Sequence, residues 1–358
     1  MIIQSSSDAA ATPGDKSLHE LARQLVGDLH RPRPAIFWTD TLVTASIGWA
    51  AFAGSVVLTP LSLTMLACVA VAVFALYRGL CFIHEISHIN PKTLRGFETT
   101  WNSLFGVPLL MPSIVYSGVH QDHHKLSTYG TSQDPEYLPF ARSHRMTVAF
   151  IAQSLLIPAM LLLRFLVLAP IGLLWPGFHG WLAVHATALS MNIAYCRPMT
   201  PTLENRMRRW EVAILACWGV ALFFTFRGVI PVRTLAIWYT VTAIASLINT
   251  LRTLGAHRYE SDGIPLDRTG QLRDSWDTPG AIWTELWAPV GLRYHALHHY
   301  FPGIPYHNLG EAYSRLIGSL PLDATYRSAS SRSLWNSLCK LYRAGLCASR
   351  AAKRAALF

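Results

Sequence analysis

Charge is scarce in this chain: only 14% of its 358 residues are Asp, Glu, Lys or Arg, while 51% are hydrophobic. With a positive mean hydropathy, that scarcity excludes an ordinary soluble domain of this length and places the chain in a membrane. Paired cysteines are missing as well. Cys68, Cys81, Cys196, Cys217, Cys339 and Cys347 form no CxxC, and three lie inside apolar runs, so they are expected as buried small side chains, not disulfides or zinc ligands. Acidic residues are outnumbered, 20 against 30 Lys and Arg, for a net charge of +10. The excess cations flank apolar runs (Arg31 and Arg33 before the first; Arg343, Arg350, Lys353 and Arg354 at the end) without an aromatic-interleaved patch. No nucleic-acid partner is therefore expected, and the positive-inside tendency puts both termini in the cytoplasm. The polar first 35 residues have no apolar core behind Met1-Ile2-Ile3, so no cleavable signal peptide is expected.

What the chain does have is apolar runs of crossing length. Roughly 30 Å of hydrocarbon takes about 20 helical residues. Two hairpins meet that need: residues 36–58 with 61–82, broken at Thr59-Pro60, and residues 212–226 with 235–254, linked through Arg227 and Arg233. The arginines of that outer link sit against the charge rule. Residues 146–197 are also apolar but contain Pro158, Arg164 and Pro170, and read either as interfacial helices or as a third hairpin. Residues 1–13 read as disordered. Leu18, Leu21, Leu25 and Leu29 recur at helical spacing between Ser17 and His30, an amphipathic helix lying on the membrane or a soluble capping helix.

Eight histidines stand in three boxes: His84 and His88 in HEISH; His120, His123 and His124 in HQDHH; His295, His298 and His299 in HALHH. Imidazoles three or four residues apart share one helix face, the spacing that lets them reach a common metal. Topology agrees. HEISH follows the second span, HQDHH comes about thirty residues later, and HALHH follows the fourth span, so an even number of crossings leaves all three boxes on one face. Beyond the last span, Asn249, Thr253 and His257 are spaced by four; His257 is a ninth candidate nitrogen ligand and Asn249 a candidate indirect partner. Structural zinc takes four ligands and catalytic zinc three plus water, so this count fits two metals better than one zinc. Imidazole suits iron, copper, nickel and zinc alike, and spacing does not name the ion. His19, His30, His144, His179 and His185 read as surface or interfacial residues, and His307 is left outside the metal shell.

These boxes resemble those of the membrane fatty acid desaturases and the related hydroxylases and ketolases: HxxxH, then HxxHH, then HxxHH. The likeness extends to Trp101-Asn102, Tyr129-Gly130-Thr131, Asp134-Pro135-Glu136-Tyr137, Phe301-Pro302 and Pro305-Tyr306-His307-Asn308, as in a bacterial branch of the group, and covers about residues 40–320. It implies an all-α integral membrane protein with four transmembrane helices, interfacial helices and a cytoplasmic metal-binding cap, in the bacterial inner membrane. On that reading residues 1–35 are a tail with an amphipathic segment, 36–320 the desaturase domain and 321–358 a basic tail. Two non-haem irons would be held by His84, His88, His120, His123, His124, His295, His298 and His299, with His257 matching a further family histidine. One departure concerns Asn249, which lies eight residues before His257, where animal acyl-CoA enzymes place an asparagine four before.

The reaction implied is desaturation of a fatty acyl chain, carried on a phospholipid, CoA or acyl carrier protein, with O2 and two electrons. Hydroxylation or ketone formation on an alkyl, sphingolipid or carotenoid chain is the alternative. No cytochrome b5 module is expected, so electrons come from a separate ferredoxin, rubredoxin or cytochrome b5 type donor. Asp122, Asp134, Glu136 and Asp274 are candidates to accept the second ring N–H of the ligand histidines. Two rivals are weaker. HEISH alone matches a zinc protease, with Glu85 as base, but leaves the other boxes without a role; a histidine-lined transporter would want ligands in mid-membrane, whereas the boxes flank the spans.

Overall fold

The computed structural model describes residues 13–355. Among them, regular structure is helical apart from isolated bridges, as expected of an all-α membrane protein. The chain divides into two compact units: residues 33–122 with 145–252 make an apolar unit, and the described parts of 1–32, 123–144 and 253–358 a polar one.

Five helices are long and apolar enough to cross a membrane: Pro34–Val57, Leu63–His88, Ile157–Leu174, Pro201–Phe226 and Arg233–Ala256. The sequence count was four, and the addition comes from the stretch left open. Leu63–His88 starts where Ser62 Oγ accepts the Met65 N–H at 3.2 Å and runs on through HEISH, because nothing breaks it before Asn90-Pro91. It packs along Pro34–Val57 as the first hairpin. Close approach of the next segment is bought at Gly79, where a Cβ would fall 2.0 Å from the Phe105 ring. There the Trp101 indole N–H donates to the Gly79 carbonyl at 2.7 Å.

Ile157–Leu174 is interrupted by a π-turn at Leu163–Leu168, and the chain breaks at Trp175. Helix Pro176–His185 then folds back, with a Cβ at Gly172 placed only 3.4 Å from the His179 Cα. Residues 157–185 are thus a bent hairpin. At its π-turn the buried Arg164 donates to the Ala186 carbonyl at 2.5 Å, just past the returning helix, and to Glu211 Oε1 at 2.6 Å. His179 is not at the surface: its ring lies fully buried between Glu204 at 3.0 Å and Glu211 at 2.9 Å.

The outward faces of the spans are apolar, with Leu42, Ile47, Val220 and Phe223 exposed. Exposure of this kind corrects the cysteine expectation. Only Cys81 is buried; Cys68 and Cys339 are half-buried, and Cys196, Cys217 and Cys347 are exposed. An apolar run in a membrane protein turns part of its surface to lipid, so apolar neighbours do not imply a protein core.

In the polar unit, helix Pro13–Val26 and the turn Gly27–His30 bury Ala22, Val26 and Leu29 against Leu297, Tyr300 and Phe301 and against Leu309, Ala312 and Leu316. The amphipathic segment caps this core, with Leu29 inside it, Leu18 and Leu25 packed against it, and Leu21 exposed. The disorder expected of residues 1–13 concerns, except for Pro13, positions outside the described residues. Before the third box, Val290 and Gly291 are left-handed (φ 53° and 71°), and a Cβ at Gly291 would lie 2.7 Å from Leu309 Cδ1. Only glycine fits there.

Candidate metal centre

Each unit carries its own histidine cluster. In the apolar unit, His84 and His88 sit one turn apart at the end of Leu63–His88, and His120 lies on helix Ser117–His123. One nitrogen of each lies within 4.8 Å of the others. His120 Nδ1 is 2.9 Å from the Tyr116 hydroxyl, which fixes the ring.

In the polar unit, His123, His257 and His299 bring one nitrogen each within 4.8 Å. His295 Nε2 is 2.8 Å from His257 Nε2 and 3.1 Å from His299 Nε2, and His298 Nε2 is 3.1 Å from His124 Nε2. Each outer nitrogen is held in turn. His123 Nδ1 faces Asp134 at 2.8 Å, His257 Nδ1 faces the Tyr129 hydroxyl at 2.9 Å and Ser275 Oγ at 3.2 Å, and His299 Nδ1 faces Gln271 Oε1 at 3.4 Å. Buried Nε2 atoms that face one another at hydrogen-bond distance hold at most one proton per contact, which brings imidazole lone pairs together. A cation resolves that arrangement, and outer partners that set the tautomer are the mark of metal-binding imidazoles. Burial and the surrounding histidines hold His299 well below the usual imidazole range, so its ring is neutral. Burial works against charging His123 too, but the Asp134 carboxylate outweighs it and raises the ring's basicity.

A family profile described as fatty acid desaturase matches residues 60–330. The chain belongs to the fatty acid desaturase family. It is also similar to a ceramide hydroxylase of Caulobacter vibrioides (strain NA1000 / CB15N), 38% identical over 344 residues, which cover 93% of this chain and 95% of that one. The family is one of membrane diiron desaturases and hydroxylases, and this member is an oxidoreductase and a multi-pass membrane protein.

Within this desaturase-family protein the other candidate residues fall as follows. Asp134 is fully buried and, besides His123, accepts the Gly130 and Glu136 N–H groups. Asp274 accepts the hydroxyls of Tyr129 at 3.0 Å and Tyr137 at 3.1 Å and stands 3.9 Å from His257 Nδ1. Burial pushes its carboxyl up to about 7, although the Glu260 N–H and both tyrosines favour the anion. Asp122 accepts the Tyr195 hydroxyl. Glu136 is half-buried, and Asn249 is exposed, accepting from Arg252 at 2.9 Å. Sequence reasoning missed Tyr116, Tyr129, Gln271, Ser275 and Asp277 as supports. Asp277 Oδ1 accepts the Leu297 N–H at 3.0 Å, capping the helix His295–Tyr300 that carries the third box, while Tyr326 donates to Oδ2 at 2.7 Å. Of these, only Tyr129 carried a signal, as part of the family-like run after the second box.

Proposed function

We propose that this protein hydroxylates a hydrocarbon chain of a ceramide-type membrane lipid, using O2 and two electrons. The reading rests on one observation above all: 38% identity to a ceramide hydroxylase across nearly the full length of both chains. Sequence reasoning put fatty acyl desaturation first and hydroxylation second; that similarity favours the second. One positioned oxidant serves either outcome, since after the first hydrogen is removed the carbon either takes oxygen or loses a neighbouring hydrogen. In balance, the C–H carbon, O2, two electrons and two protons give the alcohol and one water.

The nine histidines, His84, His88, His120, His123, His124, His257, His295, His298 and His299, are proposed to hold the two irons of the family. Bound there, the irons supply O2 activation strong enough to break an unactivated C–H bond, which no side-chain base can do. The protein's own contribution is positional. Tyr116, Tyr129, Asp134, Gln271 and Ser275 lock the imidazoles, and lipid-facing spans give access to a substrate dissolved in the bilayer. The three convergent Nε2 atoms of His257, His295 and His299 support the metal assignment.

Iron-loaded protein in vesicles containing ceramide, supplied with reduced ferredoxin and isotopic O2, tests this by mass spectrometry. Ceramide is expected to gain one labelled oxygen, and His120→Ala or His298→Ala to lose both product and most bound iron. A product lacking two hydrogens and carrying no oxygen would return the desaturase reading.

A further inference from the structure

The overall reaction consumes two electrons that no group in this chain supplies, so they enter from outside; this inference rests on that part of the proposed function. Trp276 is buried, yet its indole is flanked by two cations, the Arg258 guanidinium 3.8 Å and the Lys340 ammonium 4.4 Å from the ring centroid. Its chain neighbour is Ser275, whose Oγ lies 3.2 Å from Nδ1 of His257. The segment is firmly placed. The Trp276 N–H donates to the Ala256 carbonyl at 2.7 Å, and the Arg258 N–H to the Asp274 carbonyl at 2.6 Å. From indole to the candidate ligand His257 the route is therefore covalent bonds and one hydrogen bond. Outside lies an open cleft lined by Arg258, Arg273 and Arg327 against Glu260 and Asp323. Three arginines face two carboxylates there, and Lys340 adds a further cation at the Trp276 ring.

We propose that this cleft is the docking face for a small acidic one-electron carrier protein, and that Trp276 is the point where its electrons enter. Two like charges gathered on one indole repel each other, and an acidic partner relieves that repulsion while its field steers the encounter. Each encounter oxidises one reduced carrier by one electron and passes that electron through Trp276 and Ser275 toward His257. Two encounters complete one turnover.

The test uses the full-length protein in nanodiscs and an acidic iron–sulfur ferredoxin as the probe. Binding is measured with and without iron, at low and high salt. Affinity is expected to fall as salt rises, and Arg258→Glu with Lys340→Glu to weaken binding by about tenfold or more, because rim charges act through encounter and complementarity. Arg209→Glu with Arg227→Glu, the same charge change on two exposed residues of the apolar unit, is expected to leave binding unchanged. In stopped flow, Trp276→Leu is expected to slow ferredoxin reoxidation relative to turnover driven by a small chemical reductant, and Trp276→Phe to restore part of the rate. Unchanged affinity in the charge-reversed variant, or an unchanged ratio in Trp276→Leu, overturns the proposal. Should Trp276→Leu fail to fold, Trp276→Phe and the neutral pair Arg258→Gln with Lys340→Gln carry the same two readouts. Absence of hydroxylated ceramide under the small reductant would instead count against the proposed reaction, leaving the docking result to stand by itself.

Discussion

Asp277 is a carboxylate in the wrong solvent. It is fully buried, and burial pushes it up to about 7 from 3.8, even though the Leu297 N–H and the Tyr326 hydroxyl favour its charged form. A folded-state value above the unfolded one means that the native protein binds the extra proton. The contribution to stability is therefore full below about pH 4 and is lost as pH rises toward 7, with a slope of up to about 1.4 kcal/mol per pH unit. Unfolding of the protein in detergent, followed from pH 4 to 8 against Asp277→Asn, is expected to show a flatter profile in the variant; parallel profiles would mean that another group carries the titration. The same residue shows why the site was only half legible. The boxes lie within short segments, so helical spacing alone reveals them. Gln271 and Ser275 meet their histidines, and Asp277 the helix of the third box, only after the chain has folded, and nothing in their local sequence distinguishes them from loop and helix polar residues.

At the scale of elements, hydropathy finds the first and last hairpins because each is uninterrupted, with boundaries that shift most where a helix runs on into polar sequence, to His88 in the first and back to Pro201, capped by Thr200, in the second. Residues 157–185 resisted reading because Pro158, Arg164 and Pro170 argue locally against a span. The partner that satisfies Arg164, Glu211, lies 47 residues further along the chain. This pair is almost completely buried in apolar surroundings, so removing one member leaves an uncompensated charge. Glu211→Leu is expected to destabilise the protein by about 3–5 kcal/mol, and Arg164→Leu with Glu211→Leu to recover much of that loss. Thermal unfolding in a fixed detergent measures both. A double variant no better than the single one would show that His179, also bonded to Glu211, needs the carboxylate independently.

For the whole molecule, the sequence argument for three boxes on one face requires an even number of crossings between the second and the third. Three helices of spanning length lie in that interval, so even parity requires the bent hairpin of residues 157–185 to enter and leave on the same side. Leu155→Cys and His185→Cys, in a background without native cysteines, are expected to react with an impermeant maleimide from the same side. Labelling from opposite sides would mean that Ile157–Leu174 crosses alone.

Residues 321–358 read, from sequence, as a basic tail. Yet Tyr326 donates to the carboxylate that caps the third box, the Asp277 N–H donates to the Ala329 carbonyl at 2.7 Å, and the Ser331 N–H donates back to the Asp277 carbonyl at 2.7 Å. Inheritance follows that stitching. A recombination joint at residue 320 would exchange the anchor of the third box along with the tail, whereas a joint after Ser331 would pass box and anchor to the offspring as a single cassette. The natural seam for shuffling C-terminal segments among relatives therefore lies about a dozen residues later than composition suggests.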